Sequence, residues 1–141
     1  MDEFKEIGIL IKSICNNIDR NKNLIFSKYK LTGNQCEILA YLSHNKGKSI
    51  YKKDIEKEFN QSNPAVTGTL NRLENSGYIK RVTSDKDSRY KKICLTSKAY
   101  DLESNIEKEL IKFYRLYNCN LTKDELHNLK KLLEKLYINL S

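Results

Sequence analysis

The period of the apolar residues changes at Gly77, and that change constrains the fold more than any other feature of the chain. Before it, apolar residues recur at three- and four-residue spacing, the period that lines one face of an α-helix. After it, Tyr78 to Thr83 and Tyr90 to Leu95 are rich in β-branched and aromatic residues, with Ser84-Asp85-Lys86-Asp87-Ser88 between them. That is a β-hairpin with a polar tip. In 141 residues, with a single proline and five isolated glycines, the sequence offers neither a flexible linker nor a repeat, so one domain is the expectation.

Upstream of Gly77 the pattern divides into four helices. From Glu3 to about Tyr29 one stripe carries Phe4, Ile7, Leu10, Ile11, Ile14, Ile18 and Ile25, with a break expected where Asn16-Asn17 and Asn21 to Asn23 intervene. Thr32 and Gln35 have the spacing of a capping box and open a second helix that buries Ile38, Leu39 and Leu42 and ends before Lys46-Gly47-Lys48. Ser49-Ile50-Tyr51 reads as a short extended segment, and Lys53 to Phe59 as a third helix. After a tight turn at Asn60-Gln61-Ser62-Asn63, Ser62 caps a fourth helix that tolerates Pro64 in its first turn, buries Val66, Leu70 and Leu73, and stops at Gly77.

Beyond the hairpin, a long helix from Thr96 or Ser97 carries Leu102, Ile106, Leu110, Phe113 and Tyr117. A last helix opens with a second capping box, Thr122 and Glu125, and carries a leucine stripe from Leu126 to Leu140. These two helices and the first hold more apolar surface than the central unit can cover. A second copy of the chain is the expected partner.

Three short helices followed by a hairpin is the order of a winged helix-turn-helix, in which one helix enters the major groove of DNA and the hairpin tip reaches the neighbouring backbone or minor groove. With Val66, Leu70 and Leu73 inward, Pro64, Thr67, Gly68, Asn71 and Arg72 fall on or near the outer face of the fourth helix. Thr, Asn and Arg bond to base edges or phosphates, and Gly68, which costs about 1 kcal/mol inside a helix relative to alanine, lets a backbone come close. Residues 78–93 hold Lys80, Arg81, Lys86, Arg89, Lys91 and Lys92 against Asp85 and Asp87, which is half of the formal net charge of +8. The candidate DNA-contacting set is therefore Ser62, Asn63, Pro64, Thr67, Gly68, Asn71, Arg72, Lys86, Arg89 and Lys91.

Three groups of residues carry a resemblance to the MarR-type regulators, named for multiple antibiotic resistance. They are Leu31-Thr32-x-x-Gln35-x-x-Ile38-Leu39, Leu73-Glu74-x-x-Gly77-Tyr78-Ile79-x-Arg81, and Asp87-x-Arg89 followed by Leu95-Thr96. The resemblance implies a mainly α fold: a winged helix-turn-helix DNA-binding unit at 31–96, flanked by an N-terminal dimerisation helix at 1–30 and C-terminal dimerisation helices at 97–141. It implies a homodimer on a pseudo-palindromic operator of double-stranded DNA, acting as a repressor and released by a small aromatic effector, for which Tyr29, Tyr41, Tyr114 and Tyr117 are candidate pocket residues. It also implies that Arg89 enters the minor groove while Asp87 steadies the wing by pairing with basic neighbours. Ala99, where a glycine often follows Leu-Thr, and Pro64, early in the recognition helix, depart from the family pattern.

Other functions have less behind them. A thiol-based redox-sensing regulator of the same fold would use Cys15, in the first helix. Cys15, Cys36, Cys94 and Cys119 form no C-x-x-C pair, however, and are expected to be buried thiols. His44 and His127 have no ligand-spaced partner, so neither a metal nor a cofactor is expected. An enzyme is disfavoured because the sequence holds no Gly-rich phosphate loop and no nucleophile with a clear base. A protein-binding winged helix would carry a less basic wing, and a membrane-surface role needs a strongly basic amphipathic helix, whereas the long helices here have mixed charge. No run reaches the roughly 18 to 20 apolar residues of a membrane span. With the opening Met1-Asp2-Glu3, which lacks a basic lead into an apolar run, this makes the cytoplasm the expected location.

Overall fold

A computed structural model of the protein describes residues 2–141. Among them six helices and one hairpin follow in the order α1 (Glu3–Lys28), α2 (Gly33–His44), α3 (Lys52–Phe59), α4 (Asn63–Asn75), β1 (Ile79–Thr83), β2 (Lys91–Leu95), α5 (Ser97–Tyr117) and α6 (Lys123–Leu140). The fold is mainly α with a two-stranded antiparallel wing, as expected. The chain divides into two compact units, Met1–Glu107 and Lys108–Ser141. Among the described residues no helix is long and apolar enough to cross a membrane.

The core of the first unit gathers Leu31, Ile38, Leu39 and Leu42 around α2, Ile50 and Ile55 around α3, Val66, Leu70 and Leu73 from α4, and Ile79 and Ile93 from the wing. Ala99 and Leu102 complete it from α5. Local chemistry sets the helix ends. At α2 the Gln35 N–H donates to Thr32 Oγ1 at 3.2 Å and the Thr32 N–H to Gln35 Oε1 at 2.9 Å, the reciprocal pair of a capping box. At α4 the Ala65 N–H donates to Ser62 Oγ, and Pro64 sits in the first turn, where its missing N–H costs nothing.

The end of α4 decides where the wing starts. Gly77 has φ +82°, the Tyr78 N–H returns to the Leu73 carbonyl, and the Gly77 N–H returns to the Glu74 carbonyl. This is the two-bond helix stop that favours glycine. The hairpin leaves from there with Ile79 opposite Leu95 and Thr83 opposite Lys91. The Thr96 hydroxyl donates back to the Gly77 carbonyl and Lys98 Nζ to the Ser76 carbonyl, both at 2.6 Å, so the start of α5 is tied to the end of α4.

Two expectations are corrected. α1 runs 26 residues without the break expected at its asparagines. The reason is that Asn21 Nδ2 donates to the Asn17 carbonyl and Arg20 to Asn17 Oδ1, so these side chains bond along the helix instead of competing with it. Ser49-Ile50-Tyr51 is no part of the two-stranded sheet, but Tyr51 is extended, as expected, and the Ile50 carbonyl accepts the Ile93 N–H of β2 at 2.8 Å. The thiols are not buried: Cys36 and Cys94 are half-buried, and Cys15 and Cys119 are exposed. Cys15 lies on α1, which buries only Ile25, and Cys119 lies in the turn before α6, which buries no residue. Burial of a small side chain needs a core beside it. In the single chain Phe4, Leu10 and Ile14 of α1 and Leu129, Leu132, Leu133 and Leu136 of α6 are likewise exposed.

Candidate nucleic-acid interface

The buried row of α4, Val66, Leu70 and Leu73, leaves the opposite side of the helix to solvent. Ser62, Asn63, Pro64, Asn71 and Arg72 are exposed there, and Thr67 and Gly68 are half-buried. A methyl group added at Gly68 would meet nothing within 4 Å beyond the adjoining backbone of its own helix, so no packing contact requires a glycine at that position. Thr67 is held from both sides: Lys52 Nζ of α3 donates to its hydroxyl at 3.3 Å, and that hydroxyl donates to Asn63 Oδ1 at 3.4 Å. The Ser62 hydroxyl is engaged in capping α4.

The hairpin tip is built as firmly as the helix. Ser84 is buried, and its hydroxyl accepts the Lys86 N–H at 3.2 Å and lies 2.8 Å from the Tyr51 hydroxyl, which fastens the wing to the start of α3. Tyr51 and Tyr90 meet edge to face, with the cations of Lys53 and Arg89 near the Tyr90 ring. At the tip Arg89 Nη2 lies 2.8 Å from Asp87 Oδ2, and the Arg89 N–H and Nε also donate to Asp87 Oδ1. The guanidinium holds the Asp87 carboxyl below the usual carboxylate range, and the carboxylate in turn raises the pKa of Arg89. The Arg89 side chain nevertheless remains 80% exposed.

Between α3, α4 and the wing lies a groove of about 680 Å³ into which Lys52, Lys53, Arg81, Lys86, Arg89 and Lys91 face, against two carboxylates, Asp54 and Asp87. Such a surplus of cations in a concave surface attracts polyanions. Of the residues singled out from sequence, Asn63, Lys86, Asp87, Arg89 and Lys91 line this groove. Ser62, Pro64, Gly68, Asn71 and Arg72 lie on the exposed side of α4 outside it. Sequence reasoning assigned no role to Lys52, Tyr51 or Ser84, whose contacts join segments 15 and 33 residues apart. Arg81 and Glu74 stood in the family motif without a role. In the structure Arg81 Nε donates to Glu74 Oε2 at 3.1 Å, which holds the Glu74 carboxyl below its ordinary range. Among the described residues no group of three or more His, Cys, Asp or Glu is placed to hold a metal ion.

Of the four tyrosines considered for an effector pocket, Tyr29 and Tyr41 pack against the core of the first unit, while Tyr114 and Tyr117 stack around Phe113.

Comparison with known proteins places this arrangement. The sequence model of the MarR family matches residues 29–89, from the segment before α2 to the wing arginine. The HTH-type transcriptional regulator PecS of Dickeya dadantii is 30% identical over 82% of this chain and 70% of its own length. The crystal structure of the transcription regulator MarR from Oenococcus oeni is 34% identical, covers 93% of this chain and 98% of its own, and superposes with a TM-score of 0.63. MepR of Staphylococcus aureus is similar in fold, with a TM-score of 0.88 at 22% identity over 95% of this chain and 98% of its own. A MepR–DNA complex superposes with a TM-score of 0.66 at the same identity, covering 94% of each chain. The chain belongs to the MarR family of transcription regulators.

Proposed function

We propose that this protein binds double-stranded DNA sequence-specifically as a homodimer on a pseudo-palindromic operator and acts there as a repressor. In this reading α4 lies in the major groove and the wing tip in the neighbouring minor groove, where a narrow A·T-rich stretch has enhanced negative potential and attracts Arg89. The observation that carries it is the groove with six cations beside an α4 face that presents Pro64, Asn71 and Arg72 without a large hydrophobe. Lys86, Arg89 and Lys91 then hold the backbone and minor groove, Ser62 and Asn63 offer the start of α4 to a phosphate, and Thr67, Gly68, Asn71 and Arg72 approach the bases. Asp87 orders the wing through Arg89. Residues 1–30 and 97–141 serve as dimerisation segments around the DNA-binding unit at 31–96. The exposed leucines of α6 and the exposed apolar residues of α1 support this. A small aromatic effector shifts the dimer between spacings of its two recognition helices. No cofactor is involved, and the site of action is the cytoplasm.

The test is binding of the purified protein to its own promoter DNA and to a scrambled duplex across a range of salt concentrations. Tight, selective binding that weakens steeply with salt supports the proposal, because neutralised phosphates release counterions. Equal, weak binding to both duplexes refutes it for that promoter. The alternative of a thiol-sensing regulator rests on exposed Cys15. Alkylation that leaves operator binding unchanged dismisses it.

A further inference from the structure

Asn71 sits on the side of α4 away from the core, and its amide oxygen is already engaged: Arg81 Nη2 donates to Asn71 Oδ1 at 2.6 Å. A guanidinium has only N–H groups to offer, so the atom facing it is the oxygen, and chemistry alone fixes which way the amide points. Arg81 is itself held. Its Nε and Nη2 donate to the two Glu74 oxygens at 3.1 and 3.2 Å, three residues further along the same helix. The Arg81 side chain is only 23% exposed, so it is fixed between the first strand of the wing and α4. A short bond from a charged donor is about twice as strong as a neutral one, which makes this the preferred state of the amide.

An asparagine that reads adenine uses both of its functions at once, accepting from N6 and donating to N7. Oδ1 keeps a second lone pair, but Arg81 holds the C=O pointing at the wing, so the group that Asn71 has left to turn outward is its NH₂, with two donors. Guanine offers two adjacent acceptors in the major groove, N7 and O6, whereas adenine offers one acceptor beside a donor. We infer that Arg81 is a specificity-determining positioning residue, which commits Asn71 to reading acceptors and makes guanine, not adenine, the base it selects. This rests on the DNA-binding reading proposed above.

The experiment is selection of bound sequences from a pool of random duplexes by the full-length wild type and by Arg81→Ala, Asn71→Ala and Asn71→Asp, followed by affinities on single duplexes. For the wild type, one position per half-site is expected to favour guanine, with 7-deazaguanine there costing about 5- to 100-fold in affinity. Asn71→Ala is expected to abolish that preference. Arg81→Ala should accept adenine at that position as well as guanine, with all other positions unchanged. Asn71→Asp keeps a partner for Arg81 and so keeps the wing braced, but it removes the donors and should disfavour guanine there. An Arg81→Ala protein that binds all sequences more weakly with an unchanged preference overturns the inference, as does guanine selectivity that survives in Asn71→Asp. A wild type that enriches no sequence at all overturns the DNA-binding reading itself, which distinguishes the two failures.

Discussion

Asp87 grips Arg89 at the wing tip through the Nε and Nη2 of the guanidinium and through the Arg89 backbone N–H, yet the arginine side chain stays four-fifths exposed. The pair orders the tip without hiding the charge. Arg89→Ala is therefore expected to weaken binding to all sequences and to reduce the salt slope by about one. Asp87→Asn, which retains an oxygen for the backbone N–H but loses the charge, is expected to steepen the slope by about one. Filter or fluorescence titrations at four or five salt concentrations read both. An unchanged slope in Arg89→Ala removes the arginine from the interface.

Gly68 separates stability from function. No internal contact needs it, and glycine in a helix interior is less favourable than alanine, so Gly68→Ala is expected to stabilise the fold by about 0.5–1 kcal/mol in urea unfolding. The same methyl group stands where DNA is proposed to approach, and operator affinity should fall. A variant that gains stability and binds as well as its parent places the DNA elsewhere.

The acidic limb of the stability profile carries the two arginine-bound carboxylates. Glu74 and Asp87 both have folded pKa values below their ordinary ones, Glu74 through Arg81 and Asp87 through Arg89. Each contribution is fully present above the ordinary carboxylate range and is lost as pH falls through the lowered folded values. Thermal melts of the wild type, Glu74→Gln and Asp87→Asn should therefore differ at pH 7 and converge as pH drops below about 4. Both pairs are at the surface, so high salt should shrink the difference at pH 7. Variants that stay apart in acid would assign the effect to packing.

Cys36 is expected to be the slowest of the four thiols to react with iodoacetamide. Burial, with the charge of Glu37 beside it, pushes its pKa up to about 11, whereas the thiolate is the reactive form. At pH 8 this lowers its thiolate population roughly a hundredfold relative to an ordinary thiol. Mass spectrometry of a timed alkylation, resolved by peptide, gives the order directly. Rapid labelling of Cys36 in the folded protein would contradict its placement against the core.

The order of elements, both capping boxes, the buried row of α4, the glycine stop at Gly77 and the basic hairpin were legible in the sequence because each depends on residues within a few positions of one another. The exposed side of α4 followed from the same periodicity. What only the tertiary structure decided are the contacts between elements: Lys52 on Thr67, set by how α3 packs on α4, and Arg81 on Asn71 and the Tyr51 hydroxyl on Ser84, set by the angle at which the wing leaves Gly77. No spacing rule gives that angle, because it is set by how Ile79 and Ile93 pack against the helices. The exposure of Cys15 and Cys119 has the same origin. Composition states that a thiol prefers a core, and only the fold determines whether one lies beside it.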